Sequence, residues 1–224
     1  MALVPHDISW DEYNAAQWGR EPRASLAAAL DAVGRSGTAS RATVPGPPGP
    51  VDGSAAPRRA RVAVDIGCGE GVEVSALLAD GWVVHAVDGE AAALQRLAGR
   101  TPDHLRDRLH IHQVDYAAID VLPDADLVHA SYSLPYCPPG TFPRLWAAVR
   151  GAMRPGAVLS CQLFGPNDES FGDPEMTFHA AEDVRGLLAG LEVIEQREED
   201  ADGQSYTGPK HWHVFHVLAR RPGP

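Results

Sequence analysis

Short apolar runs and longer stretches of helical period alternate along most of this 224-residue chain. Residues 62–66, 82–88, 109–114, 125–131, 157–164, 191–196 and 212–218 are β-branched or apolar runs of strand length. Between them lie helical patterns. Residues 71–79 carry Val72, Val74, Leu77 and Leu78 on one stripe, and residues 90–97 form a second helix. Thr141 caps a third, through Val149, with Phe142, Leu145, Trp146 and Val149 on its apolar side, and residues 180–188 make a fourth. Seven strands separated by helices predict an α/β fold, a doubly wound and mostly parallel sheet with helices on both faces.

The pattern differs before residue 61. Ser9 and Glu12 form a capping-box pattern at a helix start, and residues 24–33 make a second helix with Leu26, Leu30 and Val33 that can pack on the sheet. From Gly34 to Ala60 periodicity disappears. The centre of this run, residues 44–53, is mostly proline and glycine and has almost nothing to bury, so it predicts a flexible linker. The expected organisation is an N-terminal helical piece at 1–34, a linker at 35–60 and a catalytic domain at 61–224. Near the far end, the acidic residues 198–203 predict a hairpin turn between the last two strands.

Composition narrows the function. With 19 Lys and Arg against 30 Asp and Glu the formal net charge is −11, and Lys210 is the only lysine. A phosphate-binding face draws on clustered basic residues, so nucleic acid is not expected as a partner. Cys68, Cys137 and Cys161 are scattered without metal-ligand spacing and read as free thiols in a reducing, cytoplasmic compartment. No metal site, signal peptide or membrane-length apolar stretch is expected.

The chemistry concentrates where the first core strand ends. Val64-Asp-Ile-Gly-Cys-Gly-Glu-Gly71 places Gly67, Gly69 and Gly71 at alternate positions between a strand and a helix, where a ligand can approach the backbone. A dinucleotide turn spaces its glycines G-x-G-x-x-G to seat a pyrophosphate on the helix N-terminus. Here the spacing is tighter, and Asp65 precedes it by two residues. A carboxylate there opposes a pyrophosphate and suits an ammonium or sulfonium. Asp88 ends the next strand, where a carboxylate can hold a ribose diol, and Asp115 with Tyr116 follows the third.

These residues resemble motif I and the following acidic strand ends of class I S-adenosylmethionine-dependent methyltransferases. The resemblance continues in the acid-first strand at Asp126 and in the Arg154-Pro-Gly156 join before a strand. It implies a Rossmann-like seven-stranded sheet whose last strand is antiparallel, with the N-terminal helices folded over the cofactor as a lid. It implies S-adenosylmethionine as cofactor and S-adenosylhomocysteine as product, with Asp115 reaching the adenine amino group and Tyr116 packing on the ring. Cofactor contacts are expected from Asp65, Gly67, Cys68, Gly69, Gly71, Asp88 and Ser131, and from Tyr13, Trp18 and Arg20 of the lid.

The segment after the fourth strand, residues 131–140, resembles motif IV, where methyl donor and acceptor meet. An antiparallel last strand begins on the same edge, so Lys210, His211, Trp212 and His213 open near the site; alternation puts His211, His213 and Phe215 on one face and Trp212, Val214 and His216 on the other. His211 and Tyr132 are the expected catalytic groups, with His213, Tyr136, His179 and Asp168 as further candidates for a base. Tyr136, Phe164, Trp212 and His213 are expected to wall a small-molecule acceptor. The same motifs also serve cofactor-binding cyclases or isomerases and non-catalytic nucleotide-binding proteins. The acceptor and the choice between monomer and homodimer are not written in these motifs.

Overall fold

The computed structural model describes residues 9–39 and 59–223. Most of the expected linker, residues 40–58, lies outside the described residues. Helix α1 spans Trp10–Gln17, with the Ser9 hydroxyl accepting from the Glu12 N–H at 3.4 Å. Helix α2 spans Ala24–Ala39 and so continues past Val33, through residues the composition had placed in the linker. Leu26, Ala29 and Ala32 are fully covered along it.

Strands β1 (Val62–Ile66), β2 (Val83–Asp88), β3 (Leu109–Gln113), β4 (Ala125–Ala130), β5 (Met153–Phe164), β6 (Glu192–Ser205) and β7 (Gly208–Arg220) form one sheet in the order β3-β2-β1-β4-β5-β7-β6. The pairings of β1 with β2 and β4, of β2 with β3 and of β4 with β5 are parallel. Those of β7 with β5 and β6 are antiparallel. The strand order turns back between β1 and β4, and that reversal opens a crevice beyond their carboxyl ends.

Helices cover both faces because the strands are apolar on both sides. Helix α2 joins α3 (Val72–Ala79) and α4 (Ala91–Arg100) over Ala63, Val84, Ala86, Leu127 and Val158. On the opposite face α5 (Phe142–Ala152) and α6 (Ala181–Leu187) pack Leu145, Val149 and Val184 against Val64, Val128 and Leu159.

The acidic segment at 198–203 is not a turn. It belongs to β6, which pairs with β7 without a break from Glu195 to Ser205, and only Tyr206 and Thr207 form the connection. The many carboxylates on this edge strand discourage pairing with another chain. β7 pairs with β5 only from Val214 onward, so residues 200–213 project past the carboxyl end of β5 as a two-stranded arm.

Candidate active site

The turn after β1 depends on backbone that side chains resist. Gly67, Gly69 and Gly71 have φ of +68°, +50° and +76°. A Cβ on Gly67 would lie 2.3 Å from the Ser133 Cβ, and one on Gly71 would lie 2.4 Å from the Leu97 Cδ1. The turn is held to β2: the Gly67 and Cys68 N–H groups donate to the Val87 carbonyl at 2.8 and 3.2 Å. The Gly69 N–H donates to Asp88 Oδ2 at 2.7 Å, and Asp88 Oδ1 accepts from the Glu90 N–H at 2.8 Å.

A cavity of about 350 Å³ lies over this turn, and Asp65, Asp88 and Asp115 all line it. Asp65 is buried, with one oxygen 2.8 Å from His129 Nδ1, while its other oxygen is buried without a partner. Burial raises the Asp65 carboxyl above its ordinary 3.8, and the His129 bond draws it partly back. Burial raises Asp88 as well, opposed by its backbone donors. Tyr116 lines the cavity with its hydroxyl donated to the Ser133 carbonyl at 2.9 Å. Ser131 and Cys68 line it too, and burial pushes the Cys68 thiol well up. Gly71 shapes the turn without lining the cavity.

Three other lining residues carry no motif in the sequence. Asn14 of α1 lies where a Cβ on Gly69 would come within 2.6 Å of its side-chain oxygen. Glu73 on α3 binds Arg20 through both oxygens, at 2.7 and 2.8 Å. Arg23 lines the wall beside them. Tyr13 and Arg20 lie in the lining, as expected; Trp18 does not, and instead stacks under Arg100 with the guanidinium carbon 4.2 Å from its ring.

A second cavity of about 370 Å³ adjoins the first. The two share Trp10, Tyr13, Gln17, Arg23, Tyr132 and Tyr136. Its far wall is the projecting arm, through Tyr206, Lys210 and Trp212. Tyr132 has φ +52° and is the only described non-glycine residue with positive φ; the Gln162 side chain accepts its N–H at 3.0 Å. Burial and then Glu199 raise the Tyr132 phenol, and burial raises Tyr136. Both are therefore phenols at neutral pH, suited to donate a hydrogen bond and not to accept a proton.

Several expected residues stand elsewhere. Phe164 is fully buried beneath the cavities, edge-on to Tyr132, Tyr136 and Trp212. His213 is packed against Gly165, with Nδ1 accepting from the Asn167 N–H and Nε2 2.9 Å from Glu198. His211 departs furthest from the expected role: its ring is outside both cavities, 2.7 Å from Asp202 and 2.8 Å from Asp200. The face alternation expected along β7 holds, but the face that carries His211 turns toward the acidic side of β6. His179 and Asp168 also line neither cavity; Asp168 binds Lys210 at 2.8 Å. No histidine lines either cavity among the described residues.

The first cavity fits an adenosyl sulfonium cofactor. Its floor is a glycine backbone with no room for side chains, and the unpartnered Asp65 oxygen offers an acceptor to a cation. Among the described residues no group of three side chains is placed to hold a metal, and no helix is long and apolar enough to cross a membrane.

Comparison with known proteins agrees with this geometry. No curated protein matches the chain. Among solved structures, TehB from Haemophilus influenzae superposes with a TM-score of 0.62 at 13% identity, over 95% of this chain and 67% of that one. The N-methyltransferase NodS from Bradyrhizobium japonicum gives 0.56 at 16% identity, over 72% and 86%. An O-methyltransferase family 2 protein from Planctomyces limnophilus, in complex with apigenin, gives 0.50 at 21% identity, over 88% and 61%. These likenesses describe the fold. A methyltransferase domain family matches residues 64–159. That span runs from β1 into β5, the part of the sheet that builds the first cavity, and over it the chain is similar to a methyltransferase domain, in keeping with the resemblance to class I S-adenosylmethionine-dependent methyltransferases.

Proposed function

We propose that the chain transfers a methyl group from S-adenosylmethionine to a nucleophilic atom of a small-molecule acceptor, by in-line displacement. The observation that carries this reading is the second cavity, which opens onto the first through shared walls and is lined on its far side by the aromatic arm. In this reading Asp88 holds the ribose hydroxyls, Asp115 and Tyr116 meet the adenine, and Asp65 faces the cationic end of the cofactor. When bound, the cofactor supplies a methyl group on a cationic sulfur that leaves as a neutral thioether.

The chain's own contribution is positioning and exclusion of water. Helix α1 acts as a lid: Trp10 and Tyr13 contribute to both cavities, and Trp10 meets Tyr136 edge-on at 4.9 Å. Tyr132, on its strained backbone, stands at the junction. The lining offers no histidine among the described residues. The apigenin bound to one structural neighbour fits a small-molecule acceptor of aromatic type.

The test is incubation of the purified chain with methyl-labelled cofactor and a panel of small aromatic acceptors, read by product mass. A gain of one methylene together with S-adenosylhomocysteine release supports the proposal. An isomerised product without that release supports a cyclase or isomerase, and preferential binding of NAD overturns the cofactor assignment.

A further inference from the structure

We infer that the acceptor is an aromatic carboxylate, whose anionic group is seated against the guanidinium of Arg23 in the second cavity. This rests on reading that cavity as the acceptor site.

The charges lining the second cavity are not balanced among themselves. Arg23 lines both cavities at their junction, and its backbone N–H is anchored to Glu73 at 3.2 Å. Its side chain has no carboxylate or carbonyl partner among the described residues, and its Nε is buried without an acceptor. The guanidinium carbon lies 4.8 Å from the centre of the Tyr132 ring. A guanidinium carries five donors in a rigid fork, and leaving a buried donor without an acceptor costs free energy. The other charged groups of the second cavity are matched. Lys210 binds Asp168 at 2.8 Å and Ser170 at 3.0 Å. Glu199 binds His216 at 2.9 Å and Arg197 at 3.0 Å. Among the described residues Arg23 is thus the one cation of this cavity left to be answered by a ligand.

The walls specify the rest of that ligand. Trp10, Tyr13, Tyr132, Tyr136, Tyr206 and Trp212 line the cavity and offer ring faces and edges to a flat molecule. An ammonium-bearing acceptor is disfavoured, because the chain's own cations already occupy aromatic faces: Arg23 that of Tyr132, and Lys210 that of Trp212 at 4.2 Å. A carboxylate meets the guanidinium through paired, charge-assisted bonds, while its ring lies among the aromatic walls.

The cofactor's own carboxylate is the competing source of the anion, and the experiment separates the two. The full chain, saturated with S-adenosylhomocysteine, is titrated with 4-hydroxybenzoate, its neutral amide and benzylamine, followed by calorimetry and ligand-observed NMR. The carboxylate should bind at least about tenfold more tightly than the amide or the amine, the size of one charge-assisted contact. Arg23→Gln should erase that preference, Arg23→Lys should restore part of it, and S-adenosylhomocysteine affinity should stay within about twofold in both. Equal binding of acid and amide, no binding of the acid, or a preference that survives in Arg23→Gln overturns the inference. So does a tenfold loss of S-adenosylhomocysteine affinity in Arg23→Gln, which would assign the guanidinium to the cofactor. If the wild-type chain itself fails to bind S-adenosylhomocysteine, the methyl-transfer reading is what falls.

Discussion

Replacing Gly67 by alanine tests whether the turn after β1 is set by backbone conformation and close contact. At φ +68° an alanine takes on the left-handed penalty of about 1–2 kcal/mol. Its Cβ would also lie 2.3 Å from the Ser133 Cβ and 3.0 Å from its Oγ. Ser133 cannot simply swing away, because its hydroxyl is donated to the Ile66 carbonyl at 2.6 Å and the residue is buried. Forcing an extra carbon into such a site costs about 1–3 kcal/mol. The sum is about 2–5 kcal/mol, which lowers Tm by about 4–20 °C in a chain of this size. Gly19→Ala is the matched control, since Gly19 has φ +88° but nothing within 4 Å of an added Cβ. It should lose only the backbone share, about 1–2 kcal/mol. The effect of alanine on the unfolded chain is common to both variants and drops out of their difference. Thermal unfolding by circular dichroism measures the stability, and calorimetric titration measures S-adenosylhomocysteine binding. Gly67→Ala should melt below Gly19→Ala and bind at least about tenfold more weakly than wild type, a change of about 1.4 kcal/mol. If Gly67→Ala melts with Gly19→Ala and binds normally, the steric account of the turn is wrong.

Asp88→Ala removes the acceptor for the Gly69 and Glu90 N–H groups as well as the expected ribose contact. S-adenosylhomocysteine affinity should fall by about 1–3 kcal/mol in calorimetry, and an unchanged affinity would disprove the ribose role. His211→Ala should leave turnover within about twofold, because the ring lies outside both cavities; a loss of about a hundredfold, the size of a missing general base, would return it to the reaction. His129→Leu should change the pH dependence of stability through Asp65. Burial raises that carboxyl above 3.8, so the fold holds a proton the unfolded chain has released, and stability declines as pH rises from 3.8 through the raised value. Removing the His129 bond raises the carboxyl further, so the variant's deficit in Tm against wild type should grow between pH 4 and 7. A deficit constant across that range would contradict it.

Much of the fold was legible in the sequence because local patterning and global packing agree there. Apart from Asp65, Val62–Ile66 is apolar on both faces and becomes a central strand covered by helices on each side. The three glycines and three aspartates reach one region of the sheet because parallel strands place their carboxyl ends on one edge. The acidic arm was not legible. A run of carboxylates looks like a turn when read alone, whereas its strand geometry comes from a ladder with residues 210–215, including Trp212 and His213. Register there decides everything about His211: alternation assigned its face correctly, but only the paired strand shows that this face meets Asp200 and Asp202.

The sequence by itself determined the order of the elements, the glycine turn and the acids that follow it, because each is a local consequence of side-chain period and backbone freedom. Only the tertiary structure decided that Asn14, Glu73 and Arg23 join the cavity wall, and that the β6–β7 arm closes its far side. Those residues come from separate elements, and nothing in their spacing along the chain records the packing that brings them together.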